Sequence, residues 1–314
     1  MAIVVLRARA FRRPARSWDN AGTERTPSIA MPLLHDAIVA AWQQFQYACV
    51  IYCIVLVIEA LIPAERNQPL RNIAFNIGYA FVFITLGNIL SPLFDPITRP
   101  IGAALKVGFP IAFSDGIFGQ FLQILAFYFI FDFFYYWLHR AQHRFDWLWA
   151  QHKLHHSDVS LNVTTAHRHH WLEVPLLGFA VWLPMGILFE QKPVTLGWLW
   201  AIFLLWGYFT HSNLRLPLGP LTPIINGPQL HRIHHSRQER HWDKNFATSF
   251  PIFDVLFGTY CAPRKGEFPP TGLASGEDLN GLWRANVAPF AHWVGALRGK
   301  RKSIAGYGNG MDAP

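Results

Sequence analysis

Charge is scarce in this 314-residue chain: Asp, Glu, Lys and Arg together supply 15% of it, against roughly 25% in an average soluble domain. Apolar residues make up 52% and aromatic ones 15%. That balance excludes a disordered chain, a coiled coil and a charged scaffold, and it points to a chain solvated partly by lipid. Cysteine is nearly absent as well. Cys49, Cys53 and Cys261 cannot build a disulfide framework, and no Cys-x-x-Cys pair exists for zinc or redox chemistry. A Gly-x-Gly-x-x-Gly fingerprint and a haem-attachment motif are also missing, so no reductase is visible within the chain. Acid is scarcer than base, giving a formal charge of +8. A basic balance suits nucleic acid or an anionic membrane face, and the long apolar runs select the membrane.

Residues 1–34 read as a basic, disordered tail, with Arg7, Arg9, Arg12, Arg13, Arg16 and Arg25 against only Asp19 and Glu24 in its first thirty residues. An organellar presequence and a start at Met31 are the other readings of that composition. Membrane helices and a connecting segment are expected over 35–116. Ala37–Ile62 and Ile73–Phe94 are the apolar runs, and Asp95–Asp115, broken by Pro96, Pro100 and Pro110, reads as a loop or in-plane segment. Ile117–Leu138 is a third run, opening a catalytic unit expected over 117–265. Trp171–Phe189 and Val194–Phe209 flank Glu190-Gln-Lys-Pro193 and predict a hairpin that enters and leaves the membrane on one side. A polar C-terminal tail follows over 266–314. The fold expected is all-α, a membrane bundle with a histidine-rich cap. Arg140, Arg144, Lys153, Arg168, Arg232, Arg237, Arg240 and Lys244 crowd the cap and predict that it faces the cytoplasm.

Fifteen histidines stand out against this background. They cluster as His139-Arg-Ala-Gln-His143, His152-Lys-Leu-His155-His156 and His231-Arg-Ile-His234-His235, with His170 and His211 at the two ends of the predicted hairpin. Positions i, i+3 and i+4 share a helix face, so each cluster projects its rings together. Packed imidazoles repel when protonated and are poorly satisfied when buried, unless a cation organises them. Neutral imidazole suits zinc, copper, iron and nickel, and no thiolate lies nearby. Ten donors are too many for one ion and suit two. A zinc pair implies hydrolysis and an iron pair implies dioxygen activation; a bis-imidazole haem carrier or a metal transporter is a third reading. The Glu-x-x-His repeats of carboxylate-bridged di-iron bundles are absent.

An ordered set of motifs then narrows the choice: Asp132-Phe-Phe-Tyr-Tyr-Trp-Leu-His139-Arg, Asn162-Val-Thr-Thr-Ala-His-Arg168-His-His170-Trp-Leu-Glu173, His211-Ser-Asn213, His231-Arg-Ile-His-His235-Ser, Asp243-Lys-Asn245 and Phe253-Asp-Val-Leu-Phe-Gly-Thr-Tyr260. From about Asp132 to Tyr260 the chain resembles the integral-membrane fatty acid hydroxylase and sterol desaturase superfamily. The resemblance implies a non-haem di-iron centre that uses O2 to hydroxylate or desaturate an unactivated C–H bond of a lipid. It implies ten ligands: His139, His143, His152, His155, His156, His170, His211, His231, His234 and His235. His170 departs from the pattern, because Trp171 stands where the signature has proline; His167 and His169 are then neighbours able to substitute for it. His241 and His292 fall outside every box.

Supporting polar residues are expected around these rings, since a ligating imidazole usually donates its other N–H to a carboxylate or carbonyl. Asp132, two turns before His139, is the first candidate; Glu173 beside His170, Arg168, Asp243 and Asn245 are the others. Two electrons per turnover must come from outside, which implies a separate electron-transfer protein, a small haem or iron–sulfur carrier with its reductase. No nucleic-acid partner is expected. The membrane expected is a bacterial inner membrane, or the endoplasmic reticulum in a eukaryote.

Overall fold

The computed structural model describes residues 30–298 apart from 112, 114, 115, 191 and 192, so residues 1–29 of the expected N-terminal tail lie outside the described residues, while 30–34 belong to a helix rather than to a disordered tail. Among the described residues three helices are long and apolar enough to cross a membrane. They are α1 (Ala30–Leu61), α2 (Leu70–Ala104) and α3 (Ile117–Arg144). Their outward surfaces stay apolar and uncovered, as at Val50, Ile54, Val57, Phe118 and Phe121. Such a band is stable only in lipid. Small residues let α1 and α2 approach: Ala41 and Ala48, two turns apart, pack with Ala80, and Tyr52 and Ile84 fill the same cluster.

One expectation fails in α2. Asp95 does not begin a loop; the helix continues to Ala104 through Pro92, Pro96 and Pro100. The prolines recur every four residues, so their missing N–H groups fall on one side of the helix and the other side keeps its ladder. Only beyond Ala104 does the chain become irregular, where Val107 and Phe109 donate N–H bonds to Ile187 and Leu188.

After α3 the chain turns at Phe145 into α4 (Asp146–His156), a short cap helix. A 3-10 turn at Val163–His167 follows, started by an Asn162–Thr165 capping box. The predicted hairpin is present. Its first arm is α5 (Glu173–Leu177), a π-helical turn at Gly178–Trp182, and α6 (Leu183–Leu188); its second is α7 (Pro193–His211). It packs on α3 around Phe127, Phe131, Tyr135, Val181, Met185 and Leu199. The cap is completed by α8 (Pro228–His234), α9 (Ile252–Leu256) and α10 (Leu282–Leu297). The segment expected as a C-terminal tail therefore holds a helix of its own, seated on α2 and α4 through Tyr79, Leu154, Leu279 and Ala285.

The end of α1, the starts of α2 and α5 and the ends of α3 and α7 all meet the cap. The α1–α2 turn is clipped to the chain after α7, with Ala64 N donating to Asn213 O and Arg215 N to Ile62 O. At the end of α1, Glu59 accepts from Val163 N and Asn213 N at 2.9 and 2.8 Å. One end of the bundle thus gathers the helix termini that carry the clustered histidines.

Candidate metal centre

Nine histidines converge in two adjoining groups. His139 and His143 from α3, His152 and His156 from α4 and His234 from α8 form the first; His155, His211, His231 and His235 form the second. Within each group the ligand atoms lie within 4.8 Å of one another, and every ring is buried. Helix periodicity explains the partition. In His152-x-x-His155-His156 the i, i+4 pair serves the first group and His155 the second. In His231-x-x-His234-His235 the i, i+4 pair serves the second group and His234 the first. Each short helix therefore feeds both groups, and the stacked rings of His156 and His235, 4.3 Å apart, mark their boundary.

The nitrogens face inward in pairs. His139 Nε2 is 3.1 Å from His152 Nε2, and His143 Nε2 is 3.2 Å from His156 Nε2. In the second group His211 Nε2 lies 3.0 Å from the Nε2 atoms of both His155 and His231, and His231 Nε2 lies 3.1 Å from that of His235. Donors about 2.1 Å from a shared ion and at right angles to one another stand about 3.0 Å apart, so the spacing fits cation coordination. Burial first, then neighbouring imidazoles, holds His152, His155, His156, His231 and His235 well below the ordinary histidine pKa. His234 is depressed by burial in the same way. These six rings are neutral at neutral pH, the form that binds metal.

Backbone carbonyls fix three of the tautomers. His139 Nδ1 donates to Phe246 O at 2.7 Å, His234 Nδ1 to Lys244 O at 2.8 Å and His211 Nδ1 to Gly207 O at 2.6 Å. Each bond leaves a lone pair on Nε2 aimed into a group. Lys244 and Phe246 flank Asn245, which has φ +59°, and Asp243 has φ +56°. Asp and Asn tolerate this left-handed region better than most residues, and the turn they make presents both carbonyls toward the first group.

The expected supporting residues are all buried or near the cap, with roles the sequence does not reveal. Asp132 does not touch His139, because seven residues of helix separate them by about 10 Å. Its carboxylate accepts N–H bonds from Thr248, Ser249 and Phe250 at 3.0, 3.1 and 2.7 Å. Asp254, to which no role was assigned from sequence, accepts from Phe246 N and Ala247 N. The two acids pin the irregular segment that carries the Phe246 carbonyl to His139. Asn245 contributes by exchanging two hydrogen bonds with the Cys261 backbone, while the Asp243 carboxylate lies 3.6 Å from His143 Nδ1. Arg168 is fully buried and ties the end of α4 through Leu154 O and Ser157 Oγ, reaching Asn76 and Asn280 as well.

Glu173 does not support His170. Its Oε2 accepts from Gln142 and Gln151, one on α3 and one on α4, each next to a clustered histidine. His170 itself joins neither group. Its Nε2 donates to Asn286 O, and its Nδ1 accepts from Leu172 N. His169 is the ring turned toward the centre: it stacks on His155 at 4.0 Å and shares a third cluster with His152 and Glu173. The reason is local. The 168–172 stretch is irregular, so a motif spacing there carries no helical face. His167 is hydrogen-bonded to Tyr52 at 2.7 Å, His241 is buried 3.5 Å from Glu267, and His292 is half-buried on α10.

Comparison with known proteins agrees with this geometry. The fatty acid hydroxylase family model matches residues 124–259, which include all nine clustered rings. The alkylglycerol monooxygenase of Xenopus tropicalis is 37% identical over 134 residues, 43% of this chain and 29% of that protein. The ornithine lipid hydroxylase OlsE of Rhizobium tropici is 27% identical over 267 residues, covering 81% of this chain and 75% of its own length. A putative methylsterol monooxygenase of Dictyostelium discoideum is 29% identical over 239 residues, 72% of this chain and 84% of that protein. The chain thus spans less than a third of the alkylglycerol monooxygenases and most of the other two relatives. No solved structure matches it. Histidine groups at one end of an apolar helical bundle, on the segment 124–259 that the fatty acid hydroxylase family model matches, place that segment of the chain in the fatty acid hydroxylase family.

Proposed function

We propose that the chain is a membrane-bound, O2-dependent di-iron oxidoreductase that hydroxylates or desaturates an unactivated C–H bond of a lipid. The observation that carries this reading is the pair of adjoining all-imidazole groups at one end of a lipid-facing bundle. His139, His143, His152, His156 and His234 would hold one ion, and His155, His211, His231 and His235 the other. Five nitrogens around one position exceed the three protein ligands of a catalytic zinc and the four of a structural one, which disfavours a di-zinc hydrolase. Irons bound there would supply the activation of dioxygen.

The rest is the work of the chain's own residues. Asp132, Asp254 and the 243–246 turn hold the ligand rings in one tautomer. The buried cap keeps water from the reacting C–H bond. A cavity of about 570 Å³ opens between α3 and α7, lined by Ile124, Tyr128, Ile202, Trp206, Ser249 and Phe250 among others. Its mouth at Ile117 and Phe121 is apolar and exposed, and it suits the hydrocarbon part of a lipid. Tyr128 and His139 lie eleven residues apart on one face of α3, about 16 Å along its axis. Tyr135 and Phe203 pack between them, 5.4 Å from each other. A chain entering from the bilayer along α3 would meet these two rings before the first group.

The relatives' names concern alkylglycerols, an ornithine lipid and a methylsterol; their common element is an oxidised lipid. Reduction of O2 to water takes four electrons. The substrate supplies two of them, and a separate haem or iron–sulfur carrier supplies the others from the cap side. Lipid mass spectrometry of cells with and without the chain tests the reading. It predicts a lipid that gains one oxygen atom or loses two hydrogens, only when O2 is present. An unchanged lipid profile from folded, metal-loaded protein supplied with electrons would contradict it.

A further inference from the structure

Helix α10 has an apolar side that the described residues leave largely uncovered. Trp283, Val287, Phe290, Val294 and Leu297 fall within about 40° of one line down the helix. Trp283 is 77% exposed and Leu297 88%, with Phe290 and Val294 near 40%. The opposite side is spoken for, with Ala285 and Ala288 packed against Tyr79 and Leu154, and at the edge of the stripe Asn286 accepts from Tyr79 and His170. The helix is therefore amphipathic in reverse of a cap helix in water, with an apolar stripe turned outward.

Its depth in the molecule is set by α2. Thirty-five residues of helix extend about 52 Å, against about 30 Å of hydrocarbon, so part of α2 overhangs the core of the bilayer, and its first turns are the part that packs against the cap. Phe75 and Tyr79, where α10 seats, lie in those turns. Aromatic rings gather at the same level. Phe290 stacks on Trp171, two residues before the α5 arm of the hairpin, and meets Trp293 edge to face; the Trp293 indole N–H donates to Trp147 O. Such a belt marks the boundary between lipid and water. Charge completes the pattern: Arg284 and Arg298 flank the stripe, and Lys300-Arg301-Lys302 follow the helix in sequence. A second copy of the chain placed on this face would oppose those cations to their own kind, whereas anionic headgroups would neutralise them.

We propose that α10 lies in the plane of the membrane surface, its Trp283–Leu297 stripe sunk among acyl chains and its basic flanks on anionic lipid headgroups. The helix thereby ties α4, which carries His152, His155 and His156, to the bilayer plane.

Spin labelling of the full chain in lipid nanodiscs tests this. Nitroxides are attached at Val294→Cys or Leu297→Cys, with Ala296→Cys as the label on the other side, after Cys49, Cys53 and Cys261 are replaced by alanine. In phosphatidylcholine discs containing phosphatidylglycerol, the stripe labels are expected to favour collision with oxygen over a water-soluble nickel chelate. The preference should exceed that of the Ala296 label on the order of tenfold. Removing phosphatidylglycerol should reduce it. Stripe labels as open to nickel as the Ala296 label would overturn the proposal, as would labels shielded from both reagents, which means a protein cover. A ratio indifferent to phosphatidylglycerol would overturn the assignment of the basic flanks to anionic headgroups.

Discussion

His155→Ala is expected to abolish the lipid product, to lower bound metal to about half and to leave the protein in the membrane. His155 belongs to the four-ring group, where its Nε2 faces His211 Nε2 at 3.0 Å and its ring contacts His235. Removing it leaves three imidazoles, while the five-ring group keeps all its donors. Alanine is the best helix former, so α4 survives, and the lost ring is a buried polar group that a bound metal would satisfy. Metal analysis of the purified variant, with lipid analysis of the cells that make it, checks both halves. Retained activity would remove His155 from the ligand set; loss of all metal would mean that the two groups do not load independently.

The second large effect is expected far from any ligand. Asp132→Ala strands three backbone N–H groups, that of Ser249 buried and those of Thr248 and Phe250 partly buried. Each stranded donor costs about 1–3 kcal/mol, and relief of the carboxylate's own desolvation offsets part of this. A net loss of roughly 3–5 kcal/mol is expected. The damage reaches the metal centre because the same segment carries the Phe246 carbonyl that orients His139, and a lost outer partner typically costs 10–100-fold in metal affinity. Asp132→Asn keeps a carbonyl oxygen and should recover part of the stability. Denaturant unfolding in detergent and competitive metal titration measure the two effects. An Asp132→Ala variant with unchanged stability and metal affinity would show that the segment is held by Asp254 alone.

Much of this architecture is legible in the amino-acid sequence because it rests on periodicity. Apolar runs of twenty or more residues announce α1, α2 and α3, and the i, i+3, i+4 spacing of the histidine boxes announces rings on common faces. What spacing cannot tell is which ring of a His-x-x-His-His box serves which group, because that depends on how α4 and α8 cross. Asp132 illustrates another limit. Sequence proximity pointed it at His139, yet its partners lie some 116–118 positions away, on a loop without periodicity. His169 and His170 exchange places for a related reason: irregular backbone between the 3-10 turn and α5 decides their directions. The α2 prolines read as breakers until their common side is seen. Helix α10 escapes because its apolar residues are spaced along one face and never form a run.

The central claim is that the two histidine groups hold a pair of redox-active metal ions. Metal quantification combined with Mössbauer spectroscopy on protein purified with its native metal tests it most directly. Two irons per chain in a spin-coupled pair is the result predicted. Zinc in both positions, a single isolated iron, or full activity after complete removal of transition metals would contradict it.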